Sequence, residues 1–239
     1  MDHRQPIFNV PGVVLVLLGS FLAVHLLRWA LPVEEGAWLT AALAFIPARE
    51  TGLAAELPGG RIAAVTSFVT HQFVHGDPAH LLINSAWLLA FGTPVARRTS
   101  ALGFLLFFLL TGIAGALLYL AVNGSALILV IGASGAISGL MGAAFRFLFR
   151  SMEGGPMGMA RVSTTPLMRL GETLQDRRIL IAIAGWTVLN VVLAWGAAGL
   201  TEAEGIAWEA HLGGFYAGLL LYGFFDSPPL RRDNAATAE

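Results

Sequence analysis

Between Ala101 and Phe145 the chain runs for 45 residues without a charged side chain. About 20 mostly apolar residues already cross the hydrocarbon core of a bilayer, so this run is long enough for two crossings and too long for one. Asn123-Gly124-Ser125 supplies the turn that divides it. The remainder agrees: 12% of the chain is charged and its mean hydropathy is +0.72, where soluble domains carry roughly 25% charged residues. These numbers point to an integral membrane protein.

Uncharged stretches predict six spans, at 11–31, 78–96, 101–122, 126–149, 179–200 and 206–225. The first follows a polar start, lacks a small-residue cleavage site, and reads as a retained helix rather than a removed signal peptide. The expected fold is an all-α membrane protein, a six-helix transmembrane bundle over residues 11–226. A short N-terminus (1–10) precedes it and a tail (227–239) follows it. An outer loop, 32–77, is long and partly apolar and reads as interfacial. A second loop, 151–178, carries Gly154, Gly155, Pro156, Gly158 and Pro166 and reads as flexible.

Arginine placement sets the orientation. Arg97, Arg98, Arg146, Arg150, Arg161, Arg169, Arg177, Arg178, Arg231 and Arg232 lie on one side of these spans, with Arg4 before the first. The other side has Arg49 and Arg61, with Arg28 close to the exit of the first span, and also Glu34, Glu35, Glu50, Glu56, Asp77, Glu202, Glu204 and Glu209. The positive-inside rule then places both termini in the cytoplasm, as an even number of spans requires. A net charge of -1 offers no basic surface for nucleic acid, and zero cysteines exclude disulfides, thiol catalysis and cysteine-ligated metals.

Polar groups inside such spans are costly and require a partner or a task. They comprise His25, His71, His75, His80, Asn84, Ser134, Ser138, Asn190, Glu209 and His211. His80 and Asn84 are four apart and share a helix face. Ser134 lies 16 residues before Arg150, and His211 lies 15 before Asp226. At 1.5 Å per residue these are about 24 and 22 Å, which puts both at similar depth in the outer half of the membrane. The fourth span offers Gly135, Gly139 and Gly142, and the sixth offers Gly213, Gly214 and Gly218. The small-xxx-small pairs Gly135/Gly139 and Gly214/Gly218 permit close backbone approach. If those faces meet, Ser134 and His211 confront each other. A serine hydroxyl needs a base to become a nucleophile, and neutral imidazole is the usual one. His80, Asn84 and the Ser134 backbone N–H are then candidate donors to an oxyanion.

Three motifs occur on the fourth, sixth and second spans: Gly132-Ala133-Ser134-Gly135, Ala210-His211-Leu212-Gly213-Gly214, and His75 with His80 and Asn84. In these the chain resembles the rhomboid intramembrane serine proteases of the six-span bacterial type, over roughly residues 62–226 plus the first span. The resemblance implies Ser134 as nucleophile and His211 as its base, a dyad without an acidic third member. It implies an oxyanion hole of His80, Asn84 and the Ser134 N–H, with His75 structural. It further implies single-span membrane-protein substrates, a multi-pass position in a bacterial plasma membrane with the site open to the outer face, and no metal or organic cofactor. The fifth span and the outer loop near Thr201 to Gly205 would gate lateral admission of substrate.

The chain departs from the pattern in three places. Ser138 occupies the position, four after the nucleophile, where many members stack an aromatic on the histidine. A Trp-Arg dipeptide of the first loop is missing, and the 151–178 loop is longer than in compact members. Plainer readings stand beside these: Ser134 as a packing residue, His211 as an interfacial histidine, and His80 and Asn84 as partners of loop backbone. Ser138 and Glu209 read as structural, and Asn190 as the source of an interhelical hydrogen bond. His71, His75, His80 and Asp77 lack the spacing of a metalloprotease. A client-binding pseudoprotease is the alternative function. A transporter fits less well, because the polar cluster lies toward one face and no repeat is visible.

Overall fold

The computed structural model describes residues 10–197 and 207–227. Eleven α-helical segments account for most of them. Helix α1, Gly12–Ala30, starts directly after Pro11. The outer loop holds α2, Val33–Leu43, and α3, Gly60–Thr70, with a π turn at Arg49–Leu53 between them. Helix α4, Pro78–Trp87, runs on through a wide turn at Leu88–Gly92 into α5, Thr93–Ala96. Helix α6 spans Ala101–Asn123 and α7 spans Ser134–Glu153. The short helices α8, Gly155–Ala160, and α9, Leu170–Thr173, precede the long helices α10, Arg177–Ala197, and α11, Trp208–Leu221.

By length and composition three of these are suited to crossing a membrane: Gly12–Ala30, Pro78–Ala96 and Ala101–Asn123. Their outward faces carry Leu15, Leu22, Leu82, Leu106 and Leu117 in the open, the apolar surface that lipid covers. Helix α7 is built differently. Every residue from Gly135 to Phe147 is buried, so it meets protein on all sides and can be rich in glycine, alanine and serine. It packs between α6 and α11. Thr111 of α6 fills the space over Gly139, and α11 lies on the Gly135 and Gly139 carbonyls. A core of Phe21, Leu88, Phe104, Phe108, Leu140 and Phe147 closes the other side.

Two sequence expectations are corrected. The fourth helix begins at Ser134, not at 126. Residues 126–132 lie extended along the outer loop: Phe45 and Val130 exchange both backbone hydrogen bonds, at 3.0 and 2.8 Å, and the Ala48 N–H donates to the Ala126 carbonyl. Backbone groups satisfied in this way need no helix. The 151–178 loop, read as flexible, folds into α8, α9 and a 3₁₀ turn at Val162–Thr164. Buried arginines supply the donors it lacks. Arg98 Nη1 donates to the Val162 and Thr165 carbonyls, and Arg146 Nη2 to that of Met168. Loop 201–205 and the tail from 228 onward lie outside the described residues.

Candidate active site

The site is assembled where α7 and α11 begin. The chain approaches α7 through Gly132, whose φ of +112° belongs to the region that glycine tolerates and other residues rarely adopt. Space demands glycine here as well, because a Cβ would stand 2.6 Å from His80 Nε2. Ser134 follows as the first residue of α7, where the N–H groups of the first turn have no partner inside the helix and the dipole favours negative charge. Its side chain is half-buried.

The glycines then bring α11 into place. A methyl on Gly214 would overlap the Gly135 carbonyl, and one on Gly218 the Gly139 carbonyl. The two small-xxx-small pairs therefore face each other in parallel register, backbone against backbone. His211, one turn before Gly214, is thereby held against the start of α7. Its Nε2 lies 2.8 Å from Ser134 Oγ. Its Nδ1 lies 2.8 Å from Asn190 Oδ1 on α10.

His80 and Asn84 stand beside Gly132, where a Cβ would lie 2.6 and 3.9 Å from His80 Nε2 and Asn84 Nδ2. His80 packs edge-on to His75, with ring centroids 5.2 Å apart. The Asp77 carboxylate caps α4 by accepting from the His80 N–H at 2.9 Å. That bond holds Asp77 below its ordinary value, since it favours the charged form. Asn84 is buried and donates through Nδ2 to the His80 carbonyl at 3.0 Å. Its remaining amide N–H and the His80 ring are the groups that a bound oxyanion could use. His75 is buried between Phe21 and His80, and its carbonyl accepts from Arg28 Nη1 at 2.6 Å, tying α1 to the loop before α4. Glu209 accepts from Asn123 Nδ2 at 3.0 Å and pins α11 to the end of α6.

Ser138 turns back to the Ser134 carbonyl at 2.7 Å and leaves the imidazole alone. The aromatic neighbour of His211 comes instead from α10, where the Trp186 ring lies 6.5 Å away at 31°. Neither Trp186 nor the partner of Asn190 was foreseeable from spacing. The one available signal was that Asn190 is a polar residue in an apolar span.

A nucleophile, a base within hydrogen-bond reach and donors nearby can support acyl transfer. A family profile described as the Rhomboid domain matches residues 63–228. No curated protein matches the chain.

Proposed function

Because the chain belongs to the rhomboid family, whose members are in general intramembrane serine proteases, we propose that it is an active serine endopeptidase that cuts a peptide bond in or near a substrate's transmembrane segment. The observation that carries this is the 2.8 Å contact between Ser134 Oγ and His211 Nε2. In this reading residues 11–226 form a six-span domain with both termini in the cytoplasm, in a bacterial plasma membrane. The site opens to the outer face, where water is available.

The geometry is compatible with a two-step acyl transfer. Ser134 Oγ attacks the scissile carbonyl carbon while its proton passes to His211 Nε2. The oxyanion is met by the Ser134 N–H, the Asn84 amide and the His80 ring. His211 returns the proton to the departing amine as the C–N bond breaks, leaving an ester on Ser134. Water, deprotonated by the same imidazole, then hydrolyses that ester. A helix shields its own carbonyls, so the substrates are single-span proteins whose cleaved segment unwinds easily and carries small side chains. No metal or organic cofactor enters these steps.

The test is incubation of the purified protein with a panel of single-span substrates, beside Ser134→Ala and His211→Ala. Both variants lose cleavage and keep the fold. Equal cleavage by Ser134→Ala and the parent refutes the proposal. Labelling by a serine-directed phosphonate separates the alternative: a folded parent unlabelled at Ser134 is a client-binding pseudoprotease.

A further inference from the structure

The dyad has a further polar partner, and it comes from α10. Asn190 on α10 is 3% exposed. Its Nδ2 donates to the Trp186 carbonyl at 2.9 Å, one turn back on the same helix. That bond fixes which way the amide points. The oxygen, which can only accept, is left facing His211 Nδ1 at 2.8 Å. Nδ1 must then carry the hydrogen, so Nε2 presents its lone pair, and Nε2 is the nitrogen beside Ser134 Oγ.

Two further contacts hold α10 in this register. Trp186 flanks the imidazole at 6.5 Å and also lies 6.2 Å from the Phe215 ring. Thr187 Oγ1 and Tyr216 OH are 2.8 Å apart. Ser138, one turn beyond Ser134, is committed to the Ser134 carbonyl, so support for the imidazole comes from α10 and not from α7.

We propose that Asn190 is the positioning residue of the dyad. It selects the tautomer in which Nε2 is basic, and its oxygen stabilises the imidazolium formed when Oγ gives up its proton. Trp186 restricts rotation of the ring. This rests on Ser134 and His211 acting as a protease dyad. It carries a consequence for substrate admission: the imidazole is fully positioned only while the middle of α10 is docked on α11.

Among the described residues, the titratable group whose charge acts on His211 from another element is His80 on α4. On its own helix Glu209 turns to Asn123. From α6, Tyr119 belongs to the apolar cluster that includes Ala116 and Ala210. Along α10 itself, Arg177 and Arg178 stand at the opposite end of the helix. A charge introduced at 190 therefore acts on His211 above all.

The experiment compares Asn190→Ala and the isosteric Asn190→Asp with the parent, measuring kcat and KM across pH in detergent or vesicles, with Ser134→Ala as blank. In Asn190→Ala, kcat falls roughly three- to tenfold, the worth of one neutral hydrogen bond, while KM is little changed. In Asn190→Asp the acceptor is kept, the donor to the Trp186 carbonyl is lost and a negative charge is added. The imidazole then holds its proton to higher pH, so the acidic limb of the kcat profile moves upward by about half a unit or more, and above that limb kcat recovers toward the parent. Three results overturn the inference while the protease reading stands: an active parent whose kcat is unaffected by Asn190→Ala, faster cleavage by Asn190→Ala, or equal losses in both variants with unmoved pH profiles. A parent no more active than Ser134→Ala removes both.

Discussion

Replacing Gly214 by alanine tests whether helix contact and chemistry are one device. The α7–α11 interface is backbone on backbone, with the Gly214 Cα resting on the Gly135 carbonyl and the Gly218 Cα on that of Gly139. Neither carbonyl sits on a flexible side chain, so a methyl at 214 is accommodated only if the helices separate. Ordinary contact between non-bonded heavy atoms lies near about 3.5 Å, and the required separation is on the order of 1 Å. The Ser134–His211 contact starts at 2.8 Å, so the same movement carries it toward about 4 Å, beyond hydrogen-bond range. Overpacking of this kind costs about 1–3 kcal/mol of stability. A misplacement of about 1 Å costs on the order of 10²-fold in rate. The expected Gly214→Ala protein is therefore folded, modestly destabilised and nearly inactive. Turnover of a single-span reporter, phosphonate labelling of Ser134 and thermal melting are measured together. Gly19→Ala and Gly185→Ala serve as controls, because a methyl at either meets open space. A folded Gly214→Ala protein with half or more of the parent turnover refutes the argument.

Two further outcomes are expected. Arg98 and Asp226 form a buried two-point ion pair, Nε to Oδ1 at 2.7 Å and Nη2 to Oδ2 at 2.8 Å, which also holds the 151–178 loop through the Val162 and Thr165 carbonyls. Asp226→Asn leaves the guanidinium buried without its counter-charge, at about 3–5 kcal/mol, and opens the loop to added protease; an unchanged melting temperature counts against this. In the outer loop, burial holds His71 down to about 4 and, with help from the charge of neighbouring His80, His75 down to about 3. Both titrate near 6.5 in an unfolded chain, so the unfolded state takes up protons first on acidification. Their contribution is complete above about pH 6.5 and is lost as pH falls through about 4 toward 3. A melting temperature flat from pH 7 to 4 rules this out.

Composition and spacing determined a good deal. A polar residue in lipid is expensive wherever it sits, so Ser134, His211, His80, Asn84 and Asn190 were conspicuous without coordinates. Small residues spaced by four mark a face that admits another backbone, so Gly135, Gly139, Gly214 and Gly218 were recognisable as a seam. Both signals are local, and local physics is what a sequence displays.

Tertiary structure decided the rest, because it depends on what each segment meets. Residues 126–132 are apolar enough for a helix, yet they lie extended because the outer loop offers backbone partners. The glycine- and proline-bearing 151–178 loop is ordered by Arg98 and Arg146, buried residues from distant parts of the chain. An uncharged run does not reveal that α7 is enclosed by protein while α6 shows leucines to lipid. The sequence flagged Asn190 as needing a hydrogen-bond partner. Only the docking of α10 on α11 made that partner Nδ1 of His211, and so left Nε2 free for Ser134.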